Sequence, residues 1–305
     1  MRNASVLLFA NLCLIAAEPP ETIKLRELMA QTPKLPHKET EFLLQPALPL
    51  EMVSSVAVAS DGLIYILQRG TTTDPIVVAR SDGQVLRSWG RGLYKIPHQI
   101  RVDREGHIWT VDAGDSTIRK FTKLGRELMK LQLELPTKPR SAFAGAADLA
   151  FAPTGNIFIA DGYQNTRIVE FTPGGQRVRE WGTPGTGPGQ LDHPHGIAID
   201  PQGIVYVADR ENGRIQRFDR KGKHIGSWDT LGKTFCLKLT PQGDLWIGTQ
   251  PRNVPNGAEG WLVKVDRNTG KALGRLDMFG HSIDVSTGGD VWTGRRPGSV
   301  IRFVP

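Results

Sequence analysis

Apolar and polar positions alternate along this chain in short runs, the period-two pattern of half-buried strands, and glycine, proline, asparagine and aspartate bound the runs. The clearest copy lies between Pro194 and Phe218. Ile197 and Ile199 alternate in a first strand, a Pro-Gln-Gly turn follows, Ile204 to Ala208 make a second, and a polar Asp-Arg-Glu-Asn-Gly loop leads to a third around Ile215 and Phe218. This is an antiparallel meander. Equivalent turn glycines stand at Gly62, Gly106, Gly155, Gly203, Gly243 and Gly289, spaced by 44, 49, 48, 40 and 46 residues. A period of that size built from strands gives one four-stranded blade per repeat, so the six repeats predict an all-β chain folded as a six-bladed β-propeller. The third repeat supplies all its strands: Asp148 to Ala152, Asn156 to Ala160, Arg167 to Phe171 and Arg177 to Trp181.

The sixth repeat reaches Val304-Pro305 after only three strands, and a closed ring does not tolerate an unpaired edge. Glu41 to Leu48 is the spare strand, so it is predicted to close the ring as the outer strand of the last blade, with the propeller spanning 41–305. Trp89, Trp181 and Trp228 fill matching blade ends and are predicted to pack between blades. Insertions at Leu133 to Gly145 and Pro251 to Gly260 break the period; loops of that length either build a functional rim or are simply tolerated.

Ahead of the repeats, Arg2, the apolar run Val6 to Ala16 and the small pair Ala16-Ala17 before Glu18 predict a secretory signal at 1–17. A secreted, extracellular or periplasmic protein with no stable membrane span follows, an uncleaved amino-terminal anchor being the alternative. Residues 18–40, rich in Pro, Lys and Glu, read as a linker or surface strap with a short helix at Ile23 to Met29. Loss of Cys13 with the signal would leave Cys236 alone, which excludes an intramolecular disulfide. The 34 glycines and 21 prolines suit many tight turns. A net charge of +7 favours anionic partners, yet the basic residues are scattered without a block or interleaved aromatics, so a monomer with no nucleic-acid partner is expected.

The chemistry comes from counting within the frame. Eight residues before the turn glycines stand Ser54, His98, Ala147, His195, Phe235 and His281, so three of the seven histidines occupy one position in alternate blades. In a sixfold ring those blades lie about 120° apart, and the imidazoles converge on the channel axis. Three neutral imidazoles with an open fourth position are a catalytic zinc set. The alternative is three strand-end histidines capping loops, the role expected of His107, His193 and His224. Seven or eight residues after the glycines stand Arg69, Tyr163, Arg210 and Arg296 on the same face. Guanidinium groups pair with carboxylates, and a phenol beside zinc and arginines can have its pKa lowered enough to act as a base. Asp112, Asp161 and Asp209 sit just before this rim; the Asp161/Asn165/Arg167 and Asp209/Asn212/Arg214 groups have the look of turn-stabilising pairs.

The Asp…Asn-x-Arg-Ile loops resemble those of NHL-repeat, TolB-like propellers over residues 50 to 305. The segments IPHQI, IADGYQNTRIVEF, PGQLDHPHGIA and VADRENGRIQRF, with Gln68-Arg69-Gly70, resemble more specifically the lyase domain of peptidylglycine α-amidating enzymes. That resemblance implies a carbon–nitrogen lyase that splits a peptidyl- or acyl-α-hydroxyglycine into an amide and glyoxylate. It implies zinc on His98, His195 and His281, Tyr163 as base, and Arg69 and Arg210 as substrate-side cations. A structural calcium would lie on the backbone of Val56 and Ile100 and on Ser282, where the family has aspartate, with Asp284 as the available substitute. The family's disulfide cysteines are absent, with Gln164, Tyr206 and Arg217 where some would stand. Two rivals fit the same frame: a non-catalytic NHL propeller that binds a peptide, glycan or protein partner, and a hydrolase or lactonase, whose sites usually use carboxylate and amide ligands.

Overall fold

A computed structural model describes residues 18–305; the expected signal at 1–17 lies outside them. Six antiparallel four-stranded sheets form a ring of blades. In the fourth, Pro194–Ile199, Val205–Asp209, Arg214–Phe218 and His224–Trp228 run from the channel outward in chain order. The second strand of a blade is sandwiched between neighbouring blades and is buried on both faces, as Ile64–Gln68 and Val205–Asp209 show, which is why such strands lack strict alternation. The outermost strand Arg177–Trp181 faces water and is written in charged residues. Gly203 takes φ +84°, a left-handed turn conformation that favours glycine, and its N–H donates to Asp200 O at 2.9 Å. A short parallel pair, Thr183–Pro184 with Gln190–Leu191, lies in the connection from the third blade to the fourth.

An amino-terminal strand does close the ring, but it is Lys38–Glu41, earlier than the predicted 41–48. It pairs antiparallel with Ser299–Val304, Lys38 opposite Val304 and Glu41 opposite Ile301. The reason is positional: an outer strand is mostly wet, so Lys-Glu-Thr-Glu suits it. The apolar residues that follow have another task. Phe42, Leu44 and Leu48 cover the seam between the sixth and first blades, with the Phe42 ring 5.0 Å from that of Trp292. The expected strap carries a helix, Pro20–Gln31, longer than the predicted Ile23 to Met29. Pro20 opens it, and Leu25 and Met29 are buried against Trp228, Leu231 and their neighbours. Among the described residues no helix is long and apolar enough to cross a membrane.

Trp89 and Trp181 pack against the next blade as predicted, through turn glycines. A Cβ added to Gly125 would lie 2.9 Å from the Trp89 ring, and one on Gly222 would lie 2.7 Å from that of Trp181. Each indole therefore rests on a bare backbone turn of the following blade. Gly222→Ala should cost about 1–2 kcal/mol for its positive φ and a further 1–3 kcal/mol for overpacking the indole. Gly203→Ala, whose nearest neighbour to an added Cβ is Arg220 Cβ at 3.5 Å, should show only the backbone cost. Urea midpoints of the two variants check the difference, and equal losses would refute the indole contact as its source.

Candidate functional site

The imidazoles owe their aim to an irregularity of the inner strands. Pro97 pairs with Asp112 and Gln99 with Val111, so His98 is an extra residue bulged from the ladder. Ser54 and Phe235 are extra in the same way, and in the fourth blade His195 and Gly196 fall within the register shift between Pro194 and Ile197. A bulge bends the strand and re-aims the side chain it carries. His281 precedes the short inner strand Asp284–Val285 and reaches the same place from a bend. The rings of His98, His195 and His281 form a near-equilateral triangle with centroids 4.8, 5.0 and 5.1 Å apart, and one ligand atom of each lies within 4.8 Å of the others.

The backbone fixes their tautomers. His98 Nδ1 lies 2.7 Å from Ala147 O, His195 Nδ1 2.6 Å from Phe235 O, and His281 Nδ1 3.4 Å from Ser54 O. Each partner is the equivalent residue of the next blade, and a carbonyl only accepts, so every Nδ1 carries the proton and every Nε2 presents a lone pair to the axis. Burial, together with the neighbouring imidazoles and arginines, lowers the pKa of His98 and His195 well below the ordinary value, and His281 falls to about 3. The Tyr163 hydroxyl lies 2.8 Å from His98 Nε2 and 3.2 Å from His195 Nε2. One phenolic proton cannot satisfy two lone pairs. The donor set is thus electron-rich, neutral and held from behind, and it fits a cation such as zinc.

Arg69 and Arg210 flank Tyr163 as the sequence placed them. Arg69 Nε donates to Ser54 Oγ at 2.8 Å and Pro97 O at 3.1 Å, and its guanidinium carbon lies 5.2 Å from the Phe143 ring centre. Arg210 lies 5.1 Å from the Phe235 ring centre and pairs with Glu211 at 2.8 Å. Burial works against the charge of Glu211, but Arg210 and Lys233 hold its carboxyl below the usual range. Burial also outweighs the arginines at Tyr163 and raises this phenol, so the arginines by themselves do not supply the lowering expected beside zinc and arginines together. Both insertions reach the rim. Phe143 of the first lies 4.9 Å from the Tyr163 ring, and Gly257 of the second helps line a cavity of about 220 Å³ with Met52, Arg69, Phe279, His281 and Arg296. Asp161 and Asp209 hold the turns, through Asn165 and Arg167 and through Asn212 and Arg214. Asp112 likewise accepts backbone N–H groups of Ile96 and Gly114. Sequence reasoning missed Glu211, which stands beside Arg210 in the chain and could have been read as its counter-charge, and His193.

The calcium expected on Val56, Ile100 and Ser282 does not fit this channel. Arg101, next to Ile100, buries its guanidinium there: Nη2 lies 2.7 Å from Asp148 Oδ2, Nη1 donates to Ile283 O at 3.1 Å and Nη2 to Leu237 O at 3.2 Å. Leu237 and Ile283 stand two residues past Phe235 and His281, the register step that Val56 and Ile100 hold past Ser54 and His98. A cation is therefore already present at this level. Burial alone would lower the Arg101 pKa, but Asp148 and then Asp284 more than offset it. Asp284, the proposed substitute ligand, accepts from Val58 N at 2.8 Å and pairs with Lys238 at 2.5 Å. Ser282 Oγ is buried with no partner among the described residues, a neutral hydroxyl where a dication needs carboxylate.

Two outcomes follow. Arg101→Met leaves Asp148 buried without its charge partner and should cost about 3–5 kcal/mol, whereas added calcium should leave the melting temperature of the unaltered protein unchanged. A calcium-dependent rise would overturn the misfit. The depressed histidines also fix a pH dependence. From 6.5 down toward 3 the unfolded chain binds protons that the folded chain refuses, so the metal-free protein should lose stability progressively on acidification through that window. Thermal melts across the range check this, and His98→Gln should give a shallower slope.

Comparison with known proteins agrees with this architecture. The NHL repeat family model matches residues 191–218. Peptidyl-glycine alpha-amidating monooxygenase A of Xenopus laevis is 36% identical over 184 residues, covering 56% of this chain and 20% of that protein. NHL repeat-containing protein 3 of Homo sapiens is 34% identical over 214 residues, 64% of this chain and 61% of its own length. Peptidyl-alpha-hydroxyglycine alpha-amidating lyase 1 of Drosophila melanogaster is 29% identical over 164 residues, 49% of this chain and 30% of its own. This chain thus spans about a fifth of the Xenopus relative's length. Among solved structures, virginiamycin B lyase of Staphylococcus aureus with quinupristin superposes with a TM-score of 0.64 at 16% identity, covering 88% of this chain and 99% of that one, which speaks to fold alone. The chain is a six-bladed β-propeller that carries an NHL repeat at residues 191–218 and is similar in sequence to proteins named peptidyl-alpha-hydroxyglycine alpha-amidating lyase.

Proposed function

We propose that this protein is a secreted, zinc-dependent lyase that cleaves the N–C bond of a peptidyl- or acyl-α-hydroxyglycine, releasing an amide and glyoxylate. One observation carries the reading: three imidazoles, each backed by a backbone carbonyl, converge, and two of their lone pairs meet a phenol lying between two arginines, in a chain that resembles lyases named for this reaction. His98, His195 and His281 would hold zinc, whose Lewis acidity lowers the pKa of hydroxyl groups beside it.

The other roles belong to the chain's own residues. Arg69 and Arg210 bind the substrate carboxylate and set the hydroxyl-bearing carbon against Tyr163. The proton of that hydroxyl passes to the Tyr163 phenolate as the carbon–oxygen double bond of glyoxylate forms. The C–N electron pair leaves with the amide nitrogen, which takes the proton from the phenol, so the protons balance and water is not consumed. Phe143 and Phe235 pack against the arginine faces and keep the charges in a dry setting. The signal read at 1–17 supplies the secretory route.

Glyoxylate release from a peptidyl-α-hydroxyglycine tests the reading. The zinc-loaded protein should produce it, a chelator and His195→Ala should abolish it, and Tyr163→Phe should lower kcat by about 10²–10⁴ while leaving zinc content intact. Arg69→Ala should cost about ten- to hundredfold in kcat/KM. A zinc-loaded protein that binds the peptide without releasing glyoxylate belongs instead to the non-catalytic propellers.

A further inference from the structure

Of the three histidines expected to cap loops, His107 does so, its Nδ1 3.2 Å from Asp103 Oδ2, while His224 Nε2 lies 3.0 Å from Ser227 Oγ within the outer strand His224–Trp228. His193 does something else. It holds φ +59°, a left-handed conformation uncommon for a residue with a side chain, and its backbone is pinned by the Arg210 N–H donating to His193 O at 3.3 Å. That conformation delivers the ring to the site. Its centre lies 4.4 Å from the Tyr163 ring and 5.7 Å from that of His195.

The ring's hydrogen bonding is decided by its neighbour. Nδ1 lies 3.1 Å from Arg210 Nη2, and a guanidinium has donors only, so Nδ1 is the acceptor and the ring proton sits on Nε2. Nε2 is buried and has no hydrogen-bond partner among the described residues. A buried N–H without an acceptor is costly to keep, and such groups in folded proteins ask for an explanation. Here it stands beside the Tyr163 phenol and one bond from the arginine that faces the substrate.

We propose that His193 is a further substrate-binding residue: its Nδ1 orients Arg210, and its Nε2–H donates a hydrogen bond to an oxygen of the bound acylglycine. The inference deepens the lyase reading and rests on it for the identity of the ligand. The acceptor is either the substrate carboxylate or its amide carbonyl, and the two are separable by probe. The arrangement explains why an aromatic ring of equal size would not serve. Phenylalanine would keep the packing on Tyr163 but would neither accept from Arg210 nor donate to a ligand.

The test compares the unaltered protein, His193→Phe and His193→Gln, all zinc-loaded. Binding of an N-acylglycine, the substrate without its hydroxyl, is measured by calorimetry, and glyoxylate release is measured in parallel. His193→Phe should weaken binding and raise KM by about ten- to hundredfold with zinc content and melting temperature unchanged. Gln, whose amide both accepts and donates, should recover part of the loss. The corresponding acylglycine amide, lacking the carboxylate charge, should lose its dependence on His193 if the carboxylate is the acceptor and keep it if the carbonyl is. Nitrogen-15 histidine spectra should show a ring protonated on Nε2 only that disappears in His193→Phe. Equal binding by the unaltered protein and His193→Phe, or a ring protonated on Nδ1, overturns the role of His193 even where glyoxylate is released. Binding that depends on His193 without glyoxylate sinks the lyase reading and leaves this one standing; no binding by the unaltered protein overturns the role of His193, and no binding together with no glyoxylate overturns both.

Discussion

The buried pair of Arg101 and Asp148 is the axle on which this ring turns. Arg101 comes from the second blade and Asp148 from the third; the guanidinium reaches carbonyls of the fifth and sixth, and Asp148 accepts the Ile197 N–H of the fourth. Asp284 of the sixth then ties Val58 of the first and Lys238 of the fifth. All six inner strands are thereby joined across the channel by side chains, where sheet hydrogen bonding cannot act because every blade is a separate sheet. Burying such charges is expensive, and a well-packed apolar plug could be as stable. What the pair adds is directionality. Each of its bonds fixes one strand in position along the axis, and three imidazoles from alternate blades meet within 4.8 Å only when those positions are held.

The polar arrangement above the axle follows from the same economy of donors and acceptors. Each histidine gives its Nδ1 proton to the next blade, which both links the blades and leaves a lone pair inward. Arginines placed beside such a cluster would oppose cation binding if left uncompensated. Glu211 between Arg210 and Lys233, and the aromatic faces under both arginines, temper that repulsion while leaving the rim positive overall.

The period, the turn glycines and the histidine positions were legible because they are written locally: a glycine marks a left-handed turn, and alternation marks a strand. The bulges at Ser54, His98 and Phe235 were not, since a bulge is a relation between two strands and leaves no mark in one. The closing strand was misplaced for a related reason. An apolar run such as Phe42 to Leu48 is the better strand by composition, but a seam between blades demanded it, and the outermost edge accepted Lys-Glu-Thr-Glu. Arg101 read as one scattered basic residue because its partners lie 47, 136 and 182 residues away. His193 has the sequence setting of a loop cap, and its ring's place beside Tyr163 and the direction of the Arg210 bond show otherwise.

Tyr163 shows how these layers act on one another. Its hydroxyl is engaged by two imidazole lone pairs, and burial keeps its proton on despite two nearby arginines. In that state the phenol serves the histidines and is unfit as a base. Under the lyase reading, a cation held by His98, His195 and His281 would occupy those lone pairs and add positive charge beside the oxygen, both of which would favour the phenolate. The imidazoles that would hold a cation are thus the same groups that engage the phenolic proton. Activity and metal loading would then be coupled through a single hydrogen atom.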